Sequence, residues 1–179
     1  MKIEELKYPV GKFKFPTTYN EDDLKKWIEE ISSFPEKLSN TVKGLSKDQL
    51  LLNYRPDGWS IRQVVHHCAE SHMNAFIRFK LTLTEESPVV KSYFENLCAE
   101  LPDGTSADIE DSLMILTGLH RRWIYLIESL NDQQLNRAYI QPEYNKSFKL
   151  WEVLALYAWH CDHHLAHVFQ ALDRKGDFD

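Results

Sequence analysis

Histidine is the residue type with the most chemistry to offer in this chain. There are eight, and they are unevenly placed. His66, His67 and His72 form one group, His160, His163, His164 and His167 form another, and His120 stands between them. His160 and His164 are four apart in a stretch of strong helical character, so at 3.6 residues per turn their rings point about 40° apart around the axis and can reach one point. This is the helical spacing by which two imidazoles bind one Zn²⁺. In His-Glu-x-x-His proteins a glutamate follows the first histidine; here that position is Cys161, so the pair is not that motif. His163 and His167 share the spacing. Extended backwards, the line of His160 and His164 runs through Tyr157 and Val153 beside apolar groups. The line of His163 and His167 runs by Glu152, Asp162 and Gln170 and reads as more exposed. The first pair is therefore preferred as ligands.

A catalytic zinc takes three protein ligands and keeps a fourth position open. The third ligand must come from another helix, and His67 is the best candidate. It lies on a polar line with Ser71, Asn74 and Arg78 beside an apolar stripe, as a site inside a helix bundle requires. Those three polar residues, with His120, are the candidate substrate-binding groups. His66 points about 100° from His67 and reads as solvent-facing. His72 and His120 fall on apolar stripes, each as a hydrogen-bonded core histidine or as a group supporting the site. Cys68 and Cys161 fit apolar stripes and read as structural. Asp162, Glu70 and Glu152 are carboxylates that can orient imidazole N–H groups, and the sequence does not choose among them.

Four amphipathic segments must position these residues. The first spans about Asn20 to Leu45, with Asn20 as N-cap and Glu21, Asp22 and Asp23 in the first turn. Pro35 predicts a kink or break near Phe34. The second spans Ser60 to Leu83, the third Asp108 to Leu130, and the fourth Ser147 or Lys149 to Leu172. The connections after the first and third segments both carry a capping box, Ser46 with Gln49 and Asn131 with Gln134, which hints at two similar hairpin-like halves. Ala138 to Phe148 reads as a small hairpin. Glu85 to Ala107 is the longest connection, with a short helix expected over Ser92 to Leu101. The fold class that follows is all-α: a four-helix bundle with a long crossover and a small hairpin before the last helix.

The 179 residues suit one domain, with residues 1–19 as an extended N-terminal arm. A net charge of −6 argues against a nucleic-acid surface. No apolar run reaches the ~18–20 residues of a membrane span. Three cysteines without a Cys-x-x-Cys, and no signal-peptide pattern, fit a cytoplasmic protein.

Two long motifs add a resemblance. Gly58-Trp59-Ser60-Ile61-Arg62-Gln63-Val64-Val65-His66-His67, followed by Ser71-His72-Met73-Asn74 and Arg78-Phe79-Lys80-Leu81, resembles the second helix of the DinB superfamily. Its YfiT-like branch, whose members are called metal-dependent hydrolases, is the most similar. Trp159-His160-Cys161-Asp162-His163-His164-Leu165-Ala166-His167 resembles that branch's fourth helix. The resemblance covers nearly the whole chain. It implies a four-helix bundle with a long crossover, a homodimer, and Zn²⁺ or Ni²⁺ held by three histidines. Matched motif by motif, those fall on His67, His160 and His164.

A three-histidine metal with an open position lowers the pKa of water toward ~7 and can equally hold a low-molecular-weight thiol as thiolate. Hydrolysis of a small molecule is the first reading. Transfer of a thiol, such as bacillithiol, to an electrophile is the second, favoured slightly by the lack of an evident general base. A metal-stabilised dimer without catalysis is the third. No catalytic residue beyond the metal ligands is assigned from the sequence.

Overall fold

The computed structural model describes residues 2–178. Four long helices carry the chain: α2 (Glu21–Val42), α4 (Ile61–Thr84), α7 (Ile109–Glu128) and α9 (Leu150–Arg174). Between them lie the short helices α1 (Ile3–Lys7), α3 (Lys47–Leu50), α5 (Glu95–Ala99), α6 (Pro102–Thr105) and α8 (Asp132–Leu135), and a hairpin of β1 (Ala138–Gln141) and β2 (Lys146–Lys149).

Capping sets several of the helix starts. The Asn20 side chain accepts from the backbone N–H groups of Asp22 (2.8 Å) and Asp23 (2.9 Å), satisfying donors that have no partner inside α2. Capping boxes open α3 (Ser46 with Gln49), α4 (Ser60 with Gln63) and α8 (Asn131 with Gln134). Pro35 neither ends nor breaks α2, which continues to Val42. Its missing N–H leaves the Ile31 carbonyl without its helical donor, and His120 Nδ1 takes that place at 2.6 Å. The lost ladder bond is thus replaced from a neighbouring helix, which is why the helix tolerates the proline.

Packing arranges the helices as a square. α2 packs against α7 and α9, and so does α4. The two helices joined by a short connection, α2 with α4 and α7 with α9, therefore face each other across the diagonal. The neighbours in sequence that pack side by side are α4 and α7, which the long connection joins. This corrects the expectation of hairpin-like halves. The capping boxes repeat, but the connections they open carry the chain across the bundle rather than back along one side. Trp123, Phe79, Phe34, Leu38, Leu116 and Leu154 fill the centre.

The crossover holds two short helices rather than one over Ser92 to Leu101. Pro102 starts the second, at a position where its lack of N–H costs nothing, and a Cβ on Gly104 would come within 2.8 Å of the Ala99 carbonyl, so only glycine permits the close turn. The hairpin pairs Ala138 with Lys149 through Gln141 with Lys146. The crossover is tied to it: Val90 N–H donates to the Ile140 carbonyl (2.9 Å), and Ile140 N–H to that of Pro88 (2.8 Å). The N-terminal arm is not extended throughout, since residues 3–7 form α1, whose Leu6 is buried. Among the described residues no helix is long and apolar enough to cross a membrane.

Candidate metal centre

The site forms where α4 and α9 face each other. One ring nitrogen from each of His67, His160 and His164 lies within 4.8 Å of the other two. His67 comes from the middle of α4 and the pair His160 and His164 from successive turns of α9. The Nε2 atoms of His67 and His160 are 3.3 Å apart. Two nitrogens on one tetrahedral ion at ~2.0–2.1 Å would be separated by about 3.3 Å, so the donor set fits a small divalent cation. Trp59, in the turn that leads into α4, lies against His67 with ring centroids 4.6 Å apart.

Burial keeps these rings neutral, as ligands must be. Desolvation pushes the pKa of His67 down to about 4, with the neighbouring His163 adding to it. His160 and His164 are held well below the ordinary range, first by desolvation and then by the other rings. Behind the site, each ring meets a partner on its other nitrogen. His160 Nδ1 lies 3.0 Å from His72 Nε2, His164 Nδ1 lies 3.4 Å from His167 Nδ1, and His67 Nδ1 lies 3.4 Å from the Tyr93 hydroxyl. Outer partners of this kind orient metal-binding imidazoles.

A cavity of about 290 Å³ opens beside His160, lined by Ser71, Arg78, Tyr93, Glu95, Tyr139 and Tyr157 among others. The Ser71 and Tyr157 hydroxyls are 3.2 Å apart, and Tyr157 O–H also lies 3.1 Å from the Ser71 carbonyl. The Arg78 guanidinium donates to the Lys91 carbonyl at 3.0 Å. Desolvation pushes Tyr93, Tyr139 and Tyr157 upward, so these phenols stay protonated and serve as donors. It also pushes the Glu95 carboxyl upward.

Of the candidate substrate-binding residues, Ser71 and Arg78 line this cavity. Asn74 does not. Its amide donates to the Glu70 carbonyl one turn back (2.9 Å). His120 does not either, since its ring is fully engaged by His72 Nδ1 (2.7 Å) and the Ile31 carbonyl. His66 is buried rather than solvent-facing, with Nδ1 2.8 Å from Ser112 Oγ, because α7 and the crossover helices cover that side of α4. His163 and His167 are likewise buried. The arm covers them: His167 Nε2 lies 3.2 Å from the Lys7 carbonyl, and Tyr8 faces the His163 ring. Cys68 and Cys161 are buried thiols whose pKa desolvation drives upward, which fits the structural reading.

The sequence reading missed Tyr93 and Glu95, which lie just before and at the start of the short helix α5, too short for a periodicity to mark a face. Tyr157 was within reach, since it lies three residues before His160 on the same face of α9. Trp59 was visible in the motif, but its ring contact with His67 was not.

Comparison with known proteins follows the same lines. Residues 30–168 match the model of the DinB superfamily. A protein of Bacillus subtilis named "Putative metal-dependent hydrolase YfiT" is 42% identical over 176 residues, covering 98% of this chain and 99% of that protein. A relative from Bacillus licheniformis, also named a metal-dependent hydrolase of putative standing, is 43% identical over 174 residues, covering 97% and 99%. The solved structure of YfiT from Bacillus subtilis, described as a probable metal-dependent hydrolase with an unusual four-helix bundle topology, superposes with a TM-score of 0.93 at 42% identity, over 96% of this chain and 98% of that one. The chain belongs to the DinB superfamily.

Proposed function

We propose that this protein is a metal-dependent hydrolase of a small molecule, with Zn²⁺ or Ni²⁺ held by His67, His160 and His164. The observation that carries the reading is the convergence of three neutral imidazoles from two helices beside a cavity of about 290 Å³. That volume lies at the lower end of small-ligand pockets. A divalent ion with an open position supplies an ionised nucleophile at neutral pH.

The chain's own residues supply the rest. Tyr93 presents a phenolic O–H that can donate to an oxygen as negative charge builds on it, while the O–H of Tyr157 is held by the Ser71 carbonyl. Ser71 fixes Tyr157 through the hydrogen bonds between them. Arg78 is the cationic group of the lining and suits an anionic part of the substrate. Glu95, at the cavity rim with its carboxyl pushed upward, is the proton acceptor that the His-pair motif lacks.

The test is a panel of esters and amides, with and without chelator, run beside monochlorobimane with a panel of low-molecular-weight thiols. Turnover that needs no thiol, stops on chelation and returns with Zn²⁺ or Ni²⁺ is the expected result. Metal-dependent conjugation of one thiol, without hydrolysis, would replace the reading with thiol transfer. Neither activity, with lost thermal stability on chelation, would make the metal structural.

A further inference from the structure

The buried histidines behind the centre form a line whose hydrogens can be placed by elimination. A carbonyl oxygen only accepts. The Ile31 carbonyl, left open by Pro35, lies 2.6 Å from His120 Nδ1, so that nitrogen carries the proton. In a neutral ring Nε2 then accepts, and the group facing it is His72 Nδ1 at 2.7 Å, which must donate. His72 Nε2 is left as an acceptor for His160 Nδ1 at 3.0 Å. The lone pair of His160 Nε2 is therefore open to a donor, and two groups face it, His67 Nε2 at 3.3 Å and Ser71 Oγ at 3.5 Å.

The same elimination applies at His164. His167 Nε2 faces the Lys7 carbonyl at 3.2 Å and donates, so its Nδ1 accepts from His164 Nδ1. At His67 the Tyr93 hydroxyl can donate to Nδ1, which leaves Nε2–H to face the lone pair of His160. Without a metal, every donor in the row from Tyr93 to Ile31 then has an acceptor. Neutrality of the rings, which the elimination needs, follows from their surroundings: His72 and His120 are buried, and the partners of their nitrogens are imidazoles and a carbonyl, with no carboxylate to balance a charge.

We propose that His72 and His120 are positioning residues which, anchored on the carbonyl that Pro35 opens, lock His160 as the Nδ1–H tautomer, so that metal uptake changes the tautomer of His67 alone. In that change the proton leaves His67 Nε2 and is carried on Nδ1, where it donates to the Tyr93 oxygen; no proton is gained or lost by the protein. The inference rests on the metal reading above for the role of the lock, but the lock itself is a property of the metal-free chain.

The test is long-range ¹H–¹⁵N correlation on the metal-free protein, then on titration with Zn²⁺. The expected result is Nδ1–H for His120, His72 and His160, and Nε2–H for His67, with only His67 switching as zinc is added. His72→Phe, with its fold checked by the amide spectrum, should lose the single tautomer at His160 and about 10–100-fold in zinc affinity. His72→Gln, whose carboxamide both donates and accepts, should recover part of both. Nε2–H on His160 in the metal-free wild type, or wild-type zinc affinity in His72→Phe, would overturn the lock. The stated tautomers without zinc uptake would overturn the metal reading and leave the lock standing; zinc uptake with the wrong tautomer would do the reverse.

Discussion

Among the described residues two groups of three histidines occur, and they share His164. His67, His160 and His164 converge from two helices; His163, His164 and His167 lie on α9 alone. By ligand type and spacing they are equivalent. They differ in what lies in front of them and behind them. The first group has a cavity beside His160 and hydrogen-bonding partners at the rear of each ring. The second is roofed by the N-terminal arm. His167 stacks on Tyr54 with centroids 3.8 Å apart, His163 stacks on Trp159 at 4.3 Å, and His167 Nε2 is used by the Lys7 carbonyl. On the proposed reading, proximity of three imidazoles is not by itself enough to make a centre. Access for a substrate and nitrogens left free of backbone partners are what separate the two groups, and the second serves the first by backing His164.

The largest expected effect tests what the groups share. Both, together with His120 behind the first, are held neutral by burial, with His67, His120 and His163 pushed down to about 4. In the unfolded chain histidine titrates near ~6.5. As pH falls, the unfolded state takes up protons first, so stability is fully present above about pH 7 and is lost progressively between ~6.5 and ~4. Three such rings amount to roughly 6 kcal/mol at pH 5, a drop in melting temperature of about 10 °C or more for a chain of this size. Thermal unfolding of the chelated protein at pH 7 and 5 measures it; a flat profile would mean that burial does not set these rings.

Next comes the asymmetry itself. His160→Ala should abolish stoichiometric metal, losing more than the ~10–100-fold that removal of an outer partner costs. His163→Ala should keep its metal and lose only ring packing, about 1–3 kcal/mol. Metal analysis of both variants decides, and loss of metal in His163→Ala would erase the distinction. The smallest effect concerns the partner behind the shared member, His164. His167→Ala removes the partner behind His164 and should weaken metal binding about 10-fold, read by competition with a chelating dye. An unchanged affinity would make His167 purely a packing residue.

Much of this was legible in the chain. The four long helices follow from apolar periodicity and from caps such as Asn20 and Ser60, because those signals are local. His67, His160 and His164 were chosen on helical angle and motif, and the fold brings those three together. The failures share one cause. His66, His163 and His167 sit on faces that look polar in their own helices, and they are buried by the crossover, α7 and the arm, which no helical period reveals. His120 was placed near substrate because its stripe was right and its partner was invisible. Nothing in the sequence shows that a proline 85 residues earlier opens the carbonyl that accepts its hydrogen bond. Diagonal pairing of the long helices was hidden for the same reason, since connection length suggests adjacency without requiring it.

That diagonal has a consequence for when the protein can assemble. In an ordinary up-and-down bundle, each helix finds a neighbour as soon as the next one is made. Here α2 must wait for α7 before it has a long helix to lie against, and its other neighbour is α9, the last to emerge. His67 and His160 are 93 residues apart, so the two halves of the centre meet only after nearly the whole chain is synthesised. The contacts that define the native state are long-range, which slows folding relative to bundles of local hairpins. Until α9 docks, α2 and α4 keep apolar faces open to other chains. On the ribosome, this is a protein whose first half has no partner of its own.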